Sequence, residues 1–145
     1  MSENQSGTLP IWFWIIGGVA LLWNLMGVAS YLSFTMMAPD ELAKLPQDQQ
    51  ALVTDYPAWA TAAFALAVFA GVAGAVLLLL RKSLAAPVFG ASLVAIIVQM
   101  TWWLGLSGAM AVYGASSLLM PSLVIIAGAF LLWFSMQSKS KGWLR

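Results

Sequence analysis

The sequence predicts an all-α integral membrane protein, a bundle of four transmembrane helices with a short amphipathic helix in the outer loop. Three observations lead to this fold class: the composition, four long uncharged runs, and the charges at the ends of those runs. Of the 145 residues, 62% are hydrophobic and only 8% are charged, and the mean hydropathy is +0.91. Because a soluble domain carries about 25% charged residues, this chain lacks the polar surface that would keep it in solution.

The uncharged runs set the predicted spans. A helix needs about 20 mainly apolar residues to cross about 30 Å of hydrocarbon. We predict a single transmembrane domain over residues 1–145, with spans at 11–37, 58–80, 84–104 and 118–136 and an outer loop at 38–57. Helices are favoured over barrel strands because each run is continuously apolar. The first run is too long for a signal peptide, so we expect it to remain in the mature protein.

The basic residues predict the orientation. Arg81 and Lys82 separate the second and third spans, and Lys139, Lys141 and Arg145 follow the fourth, so five of the six bases share one side. Because loops rich in Lys and Arg stay in the cytoplasm, both termini are predicted to be cytoplasmic.

The outer loop contains a pattern typical of a helix start. Pro39 precedes Asp40 and Glu41, and acids are favourable near a helix N-terminus. Leucines at positions 42, 45 and 52 would lie along one membrane-facing side. We expect one or two short helices that rest on the bundle as a lid. The alternative is a solvated linker with no such role.

Small residues recur along the second span. They follow one another at every fourth position: Ala63, Ala67, Gly71 and Ala75. Such a stripe allows close helix packing in lipid, where the hydrophobic driving force between helices is small. Packing inside the bundle is the main expectation, and a homo-oligomer interface or a ligand groove is the alternative.

Two amides, Asn24 and Gln99, are the strongly polar side chains inside the spans. At about 1.5 Å per residue, they lie roughly 20 and 22 Å from the same side of the membrane. An unpaired amide in hydrocarbon is costly, so we expect them to bond to each other, to hydroxyls such as Ser30 or Thr101, or to a trapped water.

These amides serve either as an interhelical clasp or as a site that contacts a substrate. Aromatic faces nearby in the sequence would suit a neutral solute. The candidate intramembrane site therefore comprises Asn24, Gln99, Thr101, Trp23, Trp102 and Trp103.

The composition also argues against several function classes. With no Cys and no His, thiolate, imidazole and iron–sulfur chemistry are excluded, and we expect no metal and no cofactor. A net charge of +1 argues against nucleic acid. All five acids lie outside the spans, which argues against enzymatic catalysis and against proton-coupled carriers such as the small multidrug resistance transporters.

Several strings together resemble a known family: ALLWNLMGVASYL, PDELAKLP, YPAWAT, GVAGAVLLLLRK, APVFGASL, VQM and KGWLR. The chain resembles, over nearly its whole length, a family of small bacterial inner-membrane proteins with four predicted spans, often labelled sugar transporters. The resemblance implies a bacterial inner membrane. It assigns no role to any residue, because the family has no established activity.

The sequence favours an accessory or scaffold protein, or one that binds a lipid or lipophile. The alternative is facilitated transport of small neutral, sugar-like solutes by an oligomer. Expected partners are membrane lipids, with a homo-oligomer or a larger membrane complex as further options.

Overall fold

A computed structural model describes residues 9–145, and every regular element within that range is helical. The α-helices are α1 (Ile11–Thr35), α2 (Pro39–Ala43), α3 (Gln47–Thr54), α4 (Ala58–Leu79), α5 (Ala85–Thr101), α6 (Ala109–Tyr113) and α7 (Leu119–Ser140). Four helical segments are long and apolar enough to cross a membrane. The predicted all-α four-helix fold is confirmed.

The region between the third and fourth spans differs most from the prediction. A π-helical turn, Trp102–Leu106, continues α5, and a 3₁₀ turn, Gly114–Leu118, leads into α7. Gly108 and Gly114 have φ values of 80° and 66°, which other residues adopt only with strain, so the chain bends twice here. The last helix also runs to Ser140, four residues past the predicted end at 136, because Lys and Gln at a membrane surface are compatible with helix.

Close helix packing follows the chain order among the described residues: α1 packs on α4, α4 on α5, and α5 on α7. The small-residue stripe of α4 is buried within this one chain. The Ser92 hydroxyl of α5 donates a hydrogen bond of 2.7 Å to the Ala67 carbonyl. The stripe therefore lets α1 and α5 approach α4 closely, and a role for it between copies of the chain stays a prediction.

The end of the bundle that carries Pro10, Arg81 and Ser140, here called the terminal end, is tightly closed. Phe13, Leu78 and Phe134 are almost fully buried there. The segment after α7 folds back, and the Arg145 N–H donates to the Arg81 carbonyl at 2.8 Å. These contacts join α1, the α4–α5 turn and the end of α7.

The opposite end, here called the loop end, carries α2 and α3. The Gln50 side chain donates a 2.7 Å hydrogen bond to the Leu45 carbonyl, which fixes one short helix against the other. Leu52 of α3 is buried, and α3 approaches α6. The outer loop thus forms two short helices, of which α3 packs on α6, and short helices in this loop agree with the fold predicted from the sequence.

Candidate functional site

A cavity of about 540 Å³ lies between α1, α4, α5 and α7, towards the loop end. Its walls are mainly aromatic, aliphatic and methionine side chains, and no lining residue carries a charge. The wall carries amides and hydroxyls as well as the indoles of Trp23 and Trp103; the amide and hydroxyl residues are Asn24, Ser30, Tyr56, Ser92, Gln99, Tyr113, Ser116 and Ser117. An apolar pocket of this size with a few polar groups is typical of a small-molecule site.

Asn24 is positioned by its own helix and by the stripe of α4. Its side-chain N–H donates to the Ala20 carbonyl at 2.8 Å. Its side-chain oxygen lies in the space that a β-carbon at Gly71 would occupy. A glycine is therefore required at position 71, where the Asn24 amide packs against the backbone of α4. This packing holds the amide at the cavity wall.

Gln99 is bound to the outer loop. Its side-chain N–H donates to the Tyr56 hydroxyl at 2.7 Å. The Tyr56 ring packs on Phe34 and Trp102, with ring centroids 4.7 and 4.3 Å away. Through these three contacts, Tyr56 joins the segment before α4 to α1 and to the end of α5, at the loop end of the cavity.

Burial keeps Tyr56 neutral. Desolvation raises the pKa of the phenol above its ordinary value of 10.0, while the hydrogen bond from Gln99 acts in the opposite direction and is the smaller effect. Because the phenol oxygen already accepts a hydrogen bond, its proton can be donated to an acceptor in the cavity.

The structure brings together four of the six residues of the candidate site predicted from the sequence. Asn24, Gln99, Trp23 and Trp103 line the cavity. The Trp103 indole N–H donates to the Ser117 carbonyl at 3.3 Å, which fixes its ring against the start of α7.

The other two predicted residues lie elsewhere. Thr101 is exposed, and its hydroxyl donates to the Ile97 carbonyl of its own helix at 2.8 Å. Trp102 is buried against Tyr56, behind the cavity wall. Of the partners expected for the two amides, the described structure gives Gln99 a hydroxyl, that of Tyr56, while Asn24 bonds to a backbone carbonyl and the two amides do not bond to each other.

Sequence reasoning missed several wall residues. Tyr56 belongs to the predicted outer loop, and its position just before a span brings its ring within reach of the bundle. The residue type of Ser92 carries no signal, because a serine is common in a membrane helix, where it bonds to a carbonyl. The signal for Ser92 was its spacing, since Ser92, Ile96 and Gln99 follow one helix face.

The cavity is closed at the terminal end and open sideways. The rings of Phe13 and Phe134 meet there, with centroids 5.8 Å apart. Towards the loop end, Met26 of α1 and Met120 of α7 line the cavity yet are 65% and 58% exposed. We infer that the mouth lies between α1 and α7, a pair whose backbones do not pack closely.

No cluster of metal-binding side chains occurs in residues 9–145. Comparisons with protein families, with curated proteins and with solved structures found no match.

Proposed function

We propose that this protein binds a neutral lipophilic molecule inside the membrane. The observation that carries the proposal is the apolar cavity of about 540 Å³, which opens sideways between α1 and α7. A pocket of about 300–1,000 Å³ matches a small organic ligand. A bundle that served only as a scaffold would fill this space with side chains, because protein interiors are close-packed.

The chemistry of the wall favours an uncharged polar group on the ligand. An ion in this space would lack a counter-charge, since the lining residues are all neutral. Gln99 and Tyr56 supply a carbonyl oxygen and a phenolic proton close together. A hydroxyl, carbonyl or ester group of the ligand would lie there, with its apolar part towards Phe89 and Leu131.

We propose that the protein lies in a bacterial inner membrane with both termini in the cytoplasm. Bases at the terminal end and acids in the outer loop support this orientation. The ligand then binds in the half of the bilayer that faces away from the cytoplasm.

The test is extraction of bound lipophiles from the purified protein, with identification by mass spectrometry. Ser30→Phe would fill the mouth, because Ser30 lines the cavity. Ala29→Phe is the matched control, since Ala29 is exposed and does not line it. We expect a stoichiometric neutral lipophile with the native protein and Ala29→Phe, and its loss with Ser30→Phe. Equal amounts from both variants, or none from the native protein, would contradict the proposal.

Facilitated transport of a small neutral solute is the second candidate. It is supported by the asymmetry of the cavity, which is closed by aromatic rings at the terminal end and lined by polar groups at the loop end. Uptake of a neutral sugar by liposomes that contain the protein would test it. Transport predicts uptake that is lost in Asn24→Ala and Gln99→Ala, whereas a binding protein leaves uptake at the level of empty liposomes.

A further inference from the structure

A second groove lies on the outer surface between α5 and α7, at the terminal end. Its volume is about 570 Å³, and it shares no lining residue with the cavity. Its walls are apolar along the helices and become basic at the end: Ala86, Pro87, Gly90, Leu132, Met136, Lys139 and Ser140. Gly90 leaves the floor of the groove flat. The groove therefore combines an apolar channel with a cation at one end.

Lys139 differs from the neighbouring bases. The Lys141 ammonium lies 5.9 and 4.8 Å from the ring centroids of Trp12 and Trp143, and the Arg81 guanidinium donates to the Trp143 carbonyl. Lys139 instead lines the groove. Every acidic side chain of residues 9–145 belongs to the outer loop, at the opposite end, so none of them neutralises Lys139.

We propose that this groove binds an anionic phospholipid, with the phosphate on Lys139 and one acyl chain along Gly90, Leu132 and Met136. From Leu132 to Lys139, α7 rises by about 10 Å, which accommodates the upper part of an acyl chain. The positive charge then lies at headgroup depth, where it is complementary to the phosphate of an anionic lipid. The extra turn of α7 beyond residue 136 is what places Lys139 at the end of the groove.

The experiment is native mass spectrometry of the protein released from nanodiscs that contain equal amounts of phosphatidylglycerol and phosphatidylcholine with the same chains. We expect the native protein to retain phosphatidylglycerol preferentially. Lys139→Gln should lower that preference about fivefold, the factor for one basic residue beside an anionic lipid. Lys141→Gln, which removes a base outside the groove, is the matched control and should keep the preference.

A second pair of variants tests the acyl chain. Gly90→Leu should reduce retention of both lipids, because its side chain enters the groove, while a β-carbon there meets Leu132 at an ordinary 3.8 Å. Gly18→Leu is the control, since a β-carbon there meets nothing within 4 Å. Adding inorganic phosphate should not displace the lipid; displacement would assign the site to a free anion instead.

Four results would overturn the proposal: no preference in the native protein, equal losses in Lys139→Gln and Lys141→Gln, normal retention in Gly90→Leu, or displacement of the lipid by inorganic phosphate. The neutral lipophile of the cavity is identified separately by extraction, so either proposal can fail while the other stands.

Discussion

The side-chain oxygen of Asn24 occupies the space in which a β-carbon of residue 71 would lie, so the amide of α1 and the glycine of α4 fit only as a pair. A mid-span amide is thereby held between two closely packed helices, with one N–H on the Ala20 carbonyl. The polar wall of the cavity and the packing of α1 on α4 depend on the same contact.

Gly71→Ala should therefore destabilise the protein by about 1–3 kcal/mol, the usual cost of overpacking. The measurement is thermal unfolding in detergent. Gly18→Ala is the control, because a β-carbon there meets nothing within 4 Å. Adding Asn24→Ala to Gly71→Ala should recover part of the loss, which a double-mutant cycle would detect as coupling. Equal stability of Gly71→Ala and Gly18→Ala would show that the Asn24 amide does not pack against residue 71.

The bond between Gln99 and Tyr56 should hold the outer loop on the bundle. Tyr56→Phe removes the hydroxyl acceptor and should cost about 0.5–1.5 kcal/mol, the net value of one hydrogen bond. We expect faster amide hydrogen exchange in α3, measured in nanodiscs. Tyr31→Phe is the control, since the Tyr31 ring packs on Phe64 away from this bond. Unchanged exchange in Tyr56→Phe would mean that ring packing alone holds the loop.

The loop contact should also depend on pH only in the alkaline range. Because burial raises the pKa of Tyr56 above 10.0, the folded protein favours the neutral phenol. The resulting stability is fully present below pH 10.0 and is lost as the pH rises through the higher pKa of the folded state. Exchange in α3, corrected for intrinsic rates, should be constant from about pH 6 to 9. An alkaline transition of the same size in Tyr56→Phe would assign it to another group.

Arg81 has a strained backbone conformation, and its side chain makes a hydrogen bond to the segment after α7. Its φ of 60° is unfavourable for any residue except glycine, while its Nε donates to the Trp143 carbonyl at 2.9 Å. Arg81→Ala loses the bond and keeps the strain, whereas Arg81→Gly loses the bond and relieves the strain. We expect Arg81→Ala to be about 1 kcal/mol less stable than Arg81→Gly in thermal unfolding. The reverse order would indicate that the turn relaxes without its side chain.

The helices were predictable because continuous apolar runs and the charges that end them are local signals. The path of residues 105–118 was not, since it depends on two glycines with positive φ values, and glycine adopts positive and negative φ about equally readily. Part of the site was also predictable. Trp103 follows Gln99 by four residues and shares its face, whereas Thr101 follows by two and points away, as about 100° per residue requires. The partner of Gln99 was not predictable, because Tyr56 is 43 residues away in sequence.

Under the proposed binding function, a mouth between α1 and α7 also determines which concentration of the ligand controls occupancy of the cavity. A molecule that reaches Met26 and Met120 through the lipid is enriched there by its partition from water, which improves by about 0.8 kcal/mol for each added CH₂. If affinity is expressed by the ligand concentration in water, it therefore increases with the length of the ligand's alkyl chain, even when the contacts in the cavity stay the same. Occupancy of the cavity should follow the mole fraction of the ligand in the bilayer. Binding curves measured at different lipid-to-protein ratios should therefore superimpose when they are plotted against that mole fraction, and not when they are plotted against the total ligand concentration.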